Sequence, residues 1–143
     1  MKLIFIFLSI FLFLGCSQEK QTKGASKMHW DRDMCSRCVM VISDRKNSIQ
    51  VQMKDSRKVE KFDDIGCMVL WAEEEGISLL NSDSIIWVTD VLSGEWIDAR
   101  KAIYTADNIT PMAFGYSAYK SKQEVPKDKS AISFDEVYKN INK

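Results

Sequence analysis

Phe62-Asp63-Asp64-Ile65-Gly66-Cys67-Met68-Val69-Leu70-Trp71-Ala72 is the stretch whose reading decides the fold class. Ile65, Met68, Val69 and Ala72 recur at helical spacing, Asp63 or Asp64 offers an N-terminal cap, and Gly76 supplies a stop after Glu73-Glu74-Glu75. Those three acids near the helix C-terminus oppose its dipole, a small local misfit. Outward from this helix the apolar pattern shortens. Val39 to Ile42 and Ile49 to Met53 are apolar or alternating runs separated by the polar Ser43 to Ser48, which predicts a hairpin with a long loop. Ile85 to Thr89 is β-branched and aromatic and predicts a strand, and Ser93-Gly94 turns the chain into Trp96-Ile97. Ala102 to Thr105 and Phe114 to Tyr119 are further strand candidates. Ser133-Phe134-Asp135-Glu136 is a capping box opening a terminal helix with Val137 and Ile141 four residues apart. The class is therefore α+β. Phe62-Asp63-Asp64-Ile65 and Phe134-Asp135-Glu136-Val137 stand at the two helix starts, each after a pair of strands, which points to two related halves, approximately 28–92 and 93–143.

The other end of the chain reads as an address. Met1-Lys2 is a short positive start, and Leu3 to Leu14 is apolar apart from Ser9, about the length of a signal h-region and too short for a membrane span, which needs roughly 20 residues. The run ends at Phe13-Leu14-Gly15-Cys16, a small residue before a cysteine, as in bacterial lipoprotein signals, although Phe13 stands where Leu is usual. Residues 1–15 are thus expected to be a signal peptide and Cys16 the site of lipidation. That places the domain outside the cytoplasm, on the periplasmic side, anchored to a membrane, with Ser17 permitting sorting to an outer membrane. Residues 16–27 are expected to be a flexible tether, because Ser17 to Lys27 has Ala25 as its one apolar residue and cannot offset the entropy of ordering. The domain proper is expected over residues 28–143.

Bulk composition excludes a class of partner. The 143 residues carry 20 Lys plus Arg against 20 Asp plus Glu, so there is no large basic field for nucleic acid. Of the four cysteines, assigning Cys16 to lipid leaves Cys35, Cys38 and Cys67, an odd number that leaves at least one thiol unpaired within a monomer.

Chemistry concentrates in Met28-His29-Trp30-Asp31-Arg32-Asp33-Met34-Cys35-Ser36-Arg37-Cys38-Val39-Met40, where the only histidine, two thiols and three thioethers fall within thirteen residues. Thiolate and thioether donors select Cu(I) over hard cations, because a polarizable closed-shell ion gains more from sulfur than from oxygen. If Cys38-Val39-Met40 is extended, its two sulfurs project to one face and can meet one ion, with Val39 pointing into the core. Met112, after Pro111, is a loop methionine without a periodic core role, and either plugs a surface gap or supplies another sulfur. His29 is either an exposed residue or an imidazole ligand. Met34 and Met53 read as packing residues, as do Trp30, Trp71, Trp87 and Trp96.

Two other chemistries compete for the CxxC at Cys35 and Cys38. A redox dithiol has this spacing, but thioredoxin-type motifs open a helix, whereas Val39 to Ile42 reads as strand. A structural Zn site could use His29, Cys35, Cys38 and Cys67, though no second CxxC or HxxxH pair supplies a standard spacing. Cys67 by default is a buried thiol, with ligand or disulfide partner as alternatives. No Ser/His/Asp set, Gly-rich phosphate loop or motif-like acid pair argues for an enzyme.

The chain resembles the NosL family of nitrous oxide reductase accessory lipoproteins over most of the domain. Cys38-Val39-Met40-Val41-Ile42-Ser43-Asp44-Arg45 is similar to the family's CGM segment, with Val39 in place of Gly. It is followed in order by Phe62-Asp63-Asp64-Ile65-Gly66-Cys67-Met68, Gly94-Glu95-Trp96-Ile97-Asp98-Ala99, Ala102-Ile103-Tyr104 and Thr110-Pro111-Met112-Ala113-Phe114-Gly115-Tyr116. The resemblance implies two ββαβ-type halves and a Cu(I) chaperone for the copper centres of nitrous oxide reductase. It implies Cys38, Met40 and Met112 as ligands with His29 next, and Cys35 and Cys67 come behind them on their thiol chemistry alone. As partners it implies the reductase and a membrane ABC-type assembly machinery.

Overall fold

A computed structural model describes residues 24–143. Cys16, the signal-like run before it and most of the tether lie outside the described residues. Among those described, no helix is long and apolar enough to cross a membrane.

Among the described residues six strands and two helices follow one another: β1 (Ile49–Gln52), β2 (Val59–Phe62), α1 (Ile65–Glu74), β3 (Ile85–Thr89), β4 (Trp96–Asp98), β5 (Ile103–Thr105), β6 (Ser117–Tyr119) and α2 (Phe134–Ile141), with a 3-10 turn at Lys122–Glu124 before α2. The class is α+β. Strands β2-β1-β3-β4 form one antiparallel sheet and β5-β6 a second. An isolated bridge from Asp90 to Ala118 joins the two sheets. The order β1-β2-α1-β3 is a ββαβ unit. In the second part, β4 pairs with β3 rather than with β5, so the main sheet crosses residue 93, and β5, β6 and α2 follow.

Register explains the two faces of the main sheet. Ile49 lies opposite both Phe62 and Val88, and Val51 lies opposite Ile86, so these side chains share one face. Buried Met68, Val69 and Ala72 of α1 and Val137 of α2 complete that core, with the Phe62 and Trp71 rings 5.2 Å apart. Burying each such side chain contributes roughly 1.5–3 kcal/mol. Gln50, Lys61, Trp87 and Asp98 share the opposite face. There the N-terminal segment docks. The Ser26 N–H donates to Gln50 Oε1 at 2.8 Å, Gln50 Nε2 donates back to the Ser26 carbonyl at 2.9 Å, and Trp30 stacks on Trp96 at 6.3 Å. Ser26 is thus attached to the main sheet, because a buried Gln50 amide needs both partners.

Three expectations need correction. Val39 to Ile42 is not a strand: it contributes a single bridge, Met34 to Val41, and the partner of β1 is β2 at Val59–Phe62. Val39 has a φ of 62° and is 63 % exposed, so Cys38-Val39-Met40 is not extended and Val39 does not enter the core. Phe62 ends β2, three residues before α1, whereas Phe134 is the first residue of α2, so the two similar quartets stand in different register to their helices.

Candidate metal centre

Three segments meet at one point. Cys35 and Cys38 come from the turn after Met34, Asp63 from the residue that follows β2, and Cys67 from the first turn of α1. One donor atom from each of these four residues lies within 4.8 Å of all the others. The CxxC turn is fixed on its Cys35 side. The Cys35 N–H donates to the Met40 carbonyl at 2.8 Å, the Ser36 N–H to the Lys61 carbonyl at 2.7 Å, and the Lys61 N–H to Ser36 Oγ at 3.2 Å. Arg37, between the two cysteines, donates from Nε and Nη2 to Glu74 Oε1 at 3.0 and 2.9 Å, tying the turn to the far end of α1. After Cys38 the chain passes through the left-handed Val39, a conformation that costs a β-branched residue about 1–2 kcal/mol. This is the position at which the CGM segment has Gly, which adopts such a φ without that cost.

The three thiols differ in acidity. A hydrogen bond from the Cys67 thiol draws the Cys35 thiol down to about 6; burial opposes this, and the N–H groups of Cys38, Asp63 and Arg37 assist it. Burial pushes Cys38 up to about 11, with the negative charge on Cys35 and Asp63 adding to the effect and the Met40 N–H opposing it. Cys67 is pushed up by its hydrogen bond to Cys35, by burial, and by the charges on Cys35 and Asp63. The Cys38 thiol donates to Asp63 Oδ2 at 3.4 Å. A metal taking all three sulfurs as thiolates displaces the protons they carry. Asp63 Oδ1 is buried and has no hydrogen-bond partner, a costly arrangement for a carboxylate unless a cation or donor completes it. No disulfide links Cys35, Cys38 or Cys67.

Sequence reading left Asp63 and Asp64 as alternative helix caps, and the structure separates them. Asp64 is the cap, accepting the Gly66 N–H at 3.2 Å through Oδ1. Its Oδ2 accepts the Thr110 hydroxyl at 2.7 Å and the Met112 N–H at 3.1 Å, which fastens the Thr110-Pro111-Met112 loop to the start of α1. Burial raises the Asp64 carboxyl above the ordinary aspartate range, against these hydrogen bonds. Asp63, released from capping, faces the cysteines. The surplus of one acid over the one a cap needs was the available signal.

Three other sequence candidates remain. Met112 is half-buried against the core beside Asp64. Met40 is 54 % exposed. His29 is exposed, with Nδ1 3.7 Å from Asp33 Oδ1, and is not in the group formed by Cys35, Cys38, Asp63 and Cys67. The CxxC lies in a turn and opens no helix, unlike a thioredoxin-type motif.

No protein-family profile matches the chain, and no curated protein does. Among solved structures, the fold is shared with the copper chaperone NosL from Shewanella denitrificans, at 17 % sequence identity and a TM-score of 0.66, over 79 % of this chain and 95 % of that one.

Proposed function

We propose that this protein is an extracytoplasmic Cu(I) carrier, held at a membrane by a lipid on Cys16, which receives Cu(I) and delivers it for assembly of the copper centres of nitrous oxide reductase. It carries an ion and catalyses no reaction. The observation that bears most weight is the convergence of three unlinked thiols on one point under a shared fold with a copper chaperone. Three sulfurs suit the low coordination and softness of Cu(I). The NosL resemblance of the Cys38, Cys67 and Met112 segments supports the reductase and its ABC-type machinery as partners. The polar stretch 17–27 supports a lipid tether that raises the effective concentration of the site near membrane-bound partners.

Competition titration under reducing conditions tests the cargo. One Cu(I) per chain is expected, with a loss of affinity of at least about 10-fold for Cys38→Ser and for Cys67→Ser, no less than loss of an outer-shell partner of a metal ligand costs. Unchanged affinity in both folded variants sinks the site. Met40→Leu tests whether the exposed thioether adds a bond to the ion.

Asp63 gives a second reading its one specific support, because Cys3Asp is a donor set that four-coordinate Zn(II) also accepts. Zn(II) run beside Cu(I) in the same titration separates the two. A structural zinc site also predicts that chelation unfolds the domain.

A further inference from the structure

The geometry points to a division of labour among the three thiols: Cys35 and Cys67 retain the ion, while Cys38 is the ligand that an incoming acceptor thiol displaces. This rests on the Cu(I) reading of the same cluster and assigns the order in which its bonds are exchanged.

Access is one-sided. Cys35 is 2 % exposed, Cys67 0 % and Asp63 3 %, so three of the four donors are sealed, and Cys38 alone is partly open to solvent. A ligand arriving from outside meets the ion on the Cys38 side. Mechanical fixation divides the same way. Cys67 is built into α1, and Cys35 is held through the Ser36 and Arg37 contacts to β2 and α1. Cys38 is followed by the left-handed Val39 and by Met40 and Val41, all exposed, so its flank has little packing to resist a small displacement.

Asp63 gives the displaced thiol a place to go. Its Oδ2 already accepts the Cys38 S–H at 3.4 Å in the ion-free arrangement. The exchange balances without redox change. A Cu–S bond to the acceptor forms, the Cu–S bond to Cys38 breaks, and the proton of the incoming thiol ends on Cys38 Sγ, which returns to Asp63. Copper stays Cu(I) throughout, bound by Cys35, Cys67 and the acceptor sulfur. Transfer is completed when further acceptor ligands draw the ion from the buried pair.

Nuclear magnetic resonance of the full chain labelled with ¹³C at cysteine Cβ observes buried and exposed sulfurs alike. On loading with Cu(I), the Cβ signals of Cys35, Cys38 and Cys67 are expected to move. Titration with reduced glutathione, serving as the acceptor thiol, should return the Cys38 signal to its ion-free position while Cys35 and Cys67 stay shifted and copper remains bound. Return of Cys35 or Cys67 before Cys38, or of all three together, overturns the assignment. If Cu(I) moves none of the three signals, the Cu(I) reading itself has failed, which is a different result. Cys38→Ser provides an independent check. It should still retain one Cu(I) with Cys35 and Cys67 shifted, whereas complete loss of Cu(I) from this folded variant overturns the retained pair.

Discussion

Helix α1 starts at the cap Asp64 and helix α2 at the cap Ser133, and each cap accepts an N–H from its first turn, Gly66 at 3.2 Å and Glu136 at 3.3 Å. Beyond that shared bond they diverge. Asp64 is fully buried, and its second oxygen holds the Thr110 hydroxyl and the Met112 N–H, so the cap joins a distant loop to the helix. Ser133 is exposed and closes a local capping box, its N–H donating to Glu136 Oε2 at 2.7 Å. The same elementary device is long-range where the helix carries Cys67 and follows Asp63, and local where the helix only covers the core. A carboxylate has enough acceptor capacity for both jobs, whereas a hydroxyl cap serves its own helix.

The largest effect follows from removing that extra capacity. Asp64→Ala deletes the cap and leaves the Thr110 hydroxyl and Met112 N–H without their buried acceptor, so a loss of about 3 kcal/mol is expected. Denaturant unfolding measures it. Amide exchange at Met112 should rise with it, and a loss no larger than that of an ordinary exposed cap would remove the distinction between the helices. Gly66→Ala comes next. A Cβ there would lie 2.0 Å from the Phe114 ring, so the same loop must shift, at about 1–3 kcal/mol for overpacking. Combining it with Phe114→Ala should recover most of that loss, since the two positions are in direct contact. Additive losses in the double variant would show that Phe114 is not the obstacle.

What could be read from sequence follows the same division. The capping box at Ser133 and the periodic apolar face of α1 are local patterns, and both helices lie where those patterns put them. Strand β2 was not visible, because Val59-Glu60-Lys61-Phe62 has two charged residues in four and gains its identity from pairing with β1. The extended reading of Val39 to Ile42 failed for the converse reason: Val39, Met40 and Val41 lie in an exposed turn whose shape is set by Cys35 hydrogen bonds and the left-handed Val39, and Ile42 alone enters the core. The soft-donor cluster was legible as composition. Its geometry was not, since Asp63 and Cys67 reach Cys35 only through the path of β2 into α1, and Asp63 looked interchangeable with its neighbour until the burial of Asp64 assigned the cap.

Ser133→Ala is expected to cost about 1 kcal/mol, the ordinary price of an exposed cap, with no change in exchange at Met112. The smallest effect belongs to Glu136. The Ser133 N–H and hydroxyl hold its carboxyl below the usual glutamate range. An acid lowered in the folded state contributes stability that is present above its unfolded pKa of about 4.3 and is lost as pH falls through the folded value. Glu136→Gln should therefore lower the thermal midpoint slightly near neutrality and converge with the parent chain at acid pH. A gap between the two that stays constant from about pH 6 down to pH 3 would mean that the box draws nothing from the charge on Glu136, and that the local cap works through hydrogen-bond geometry alone.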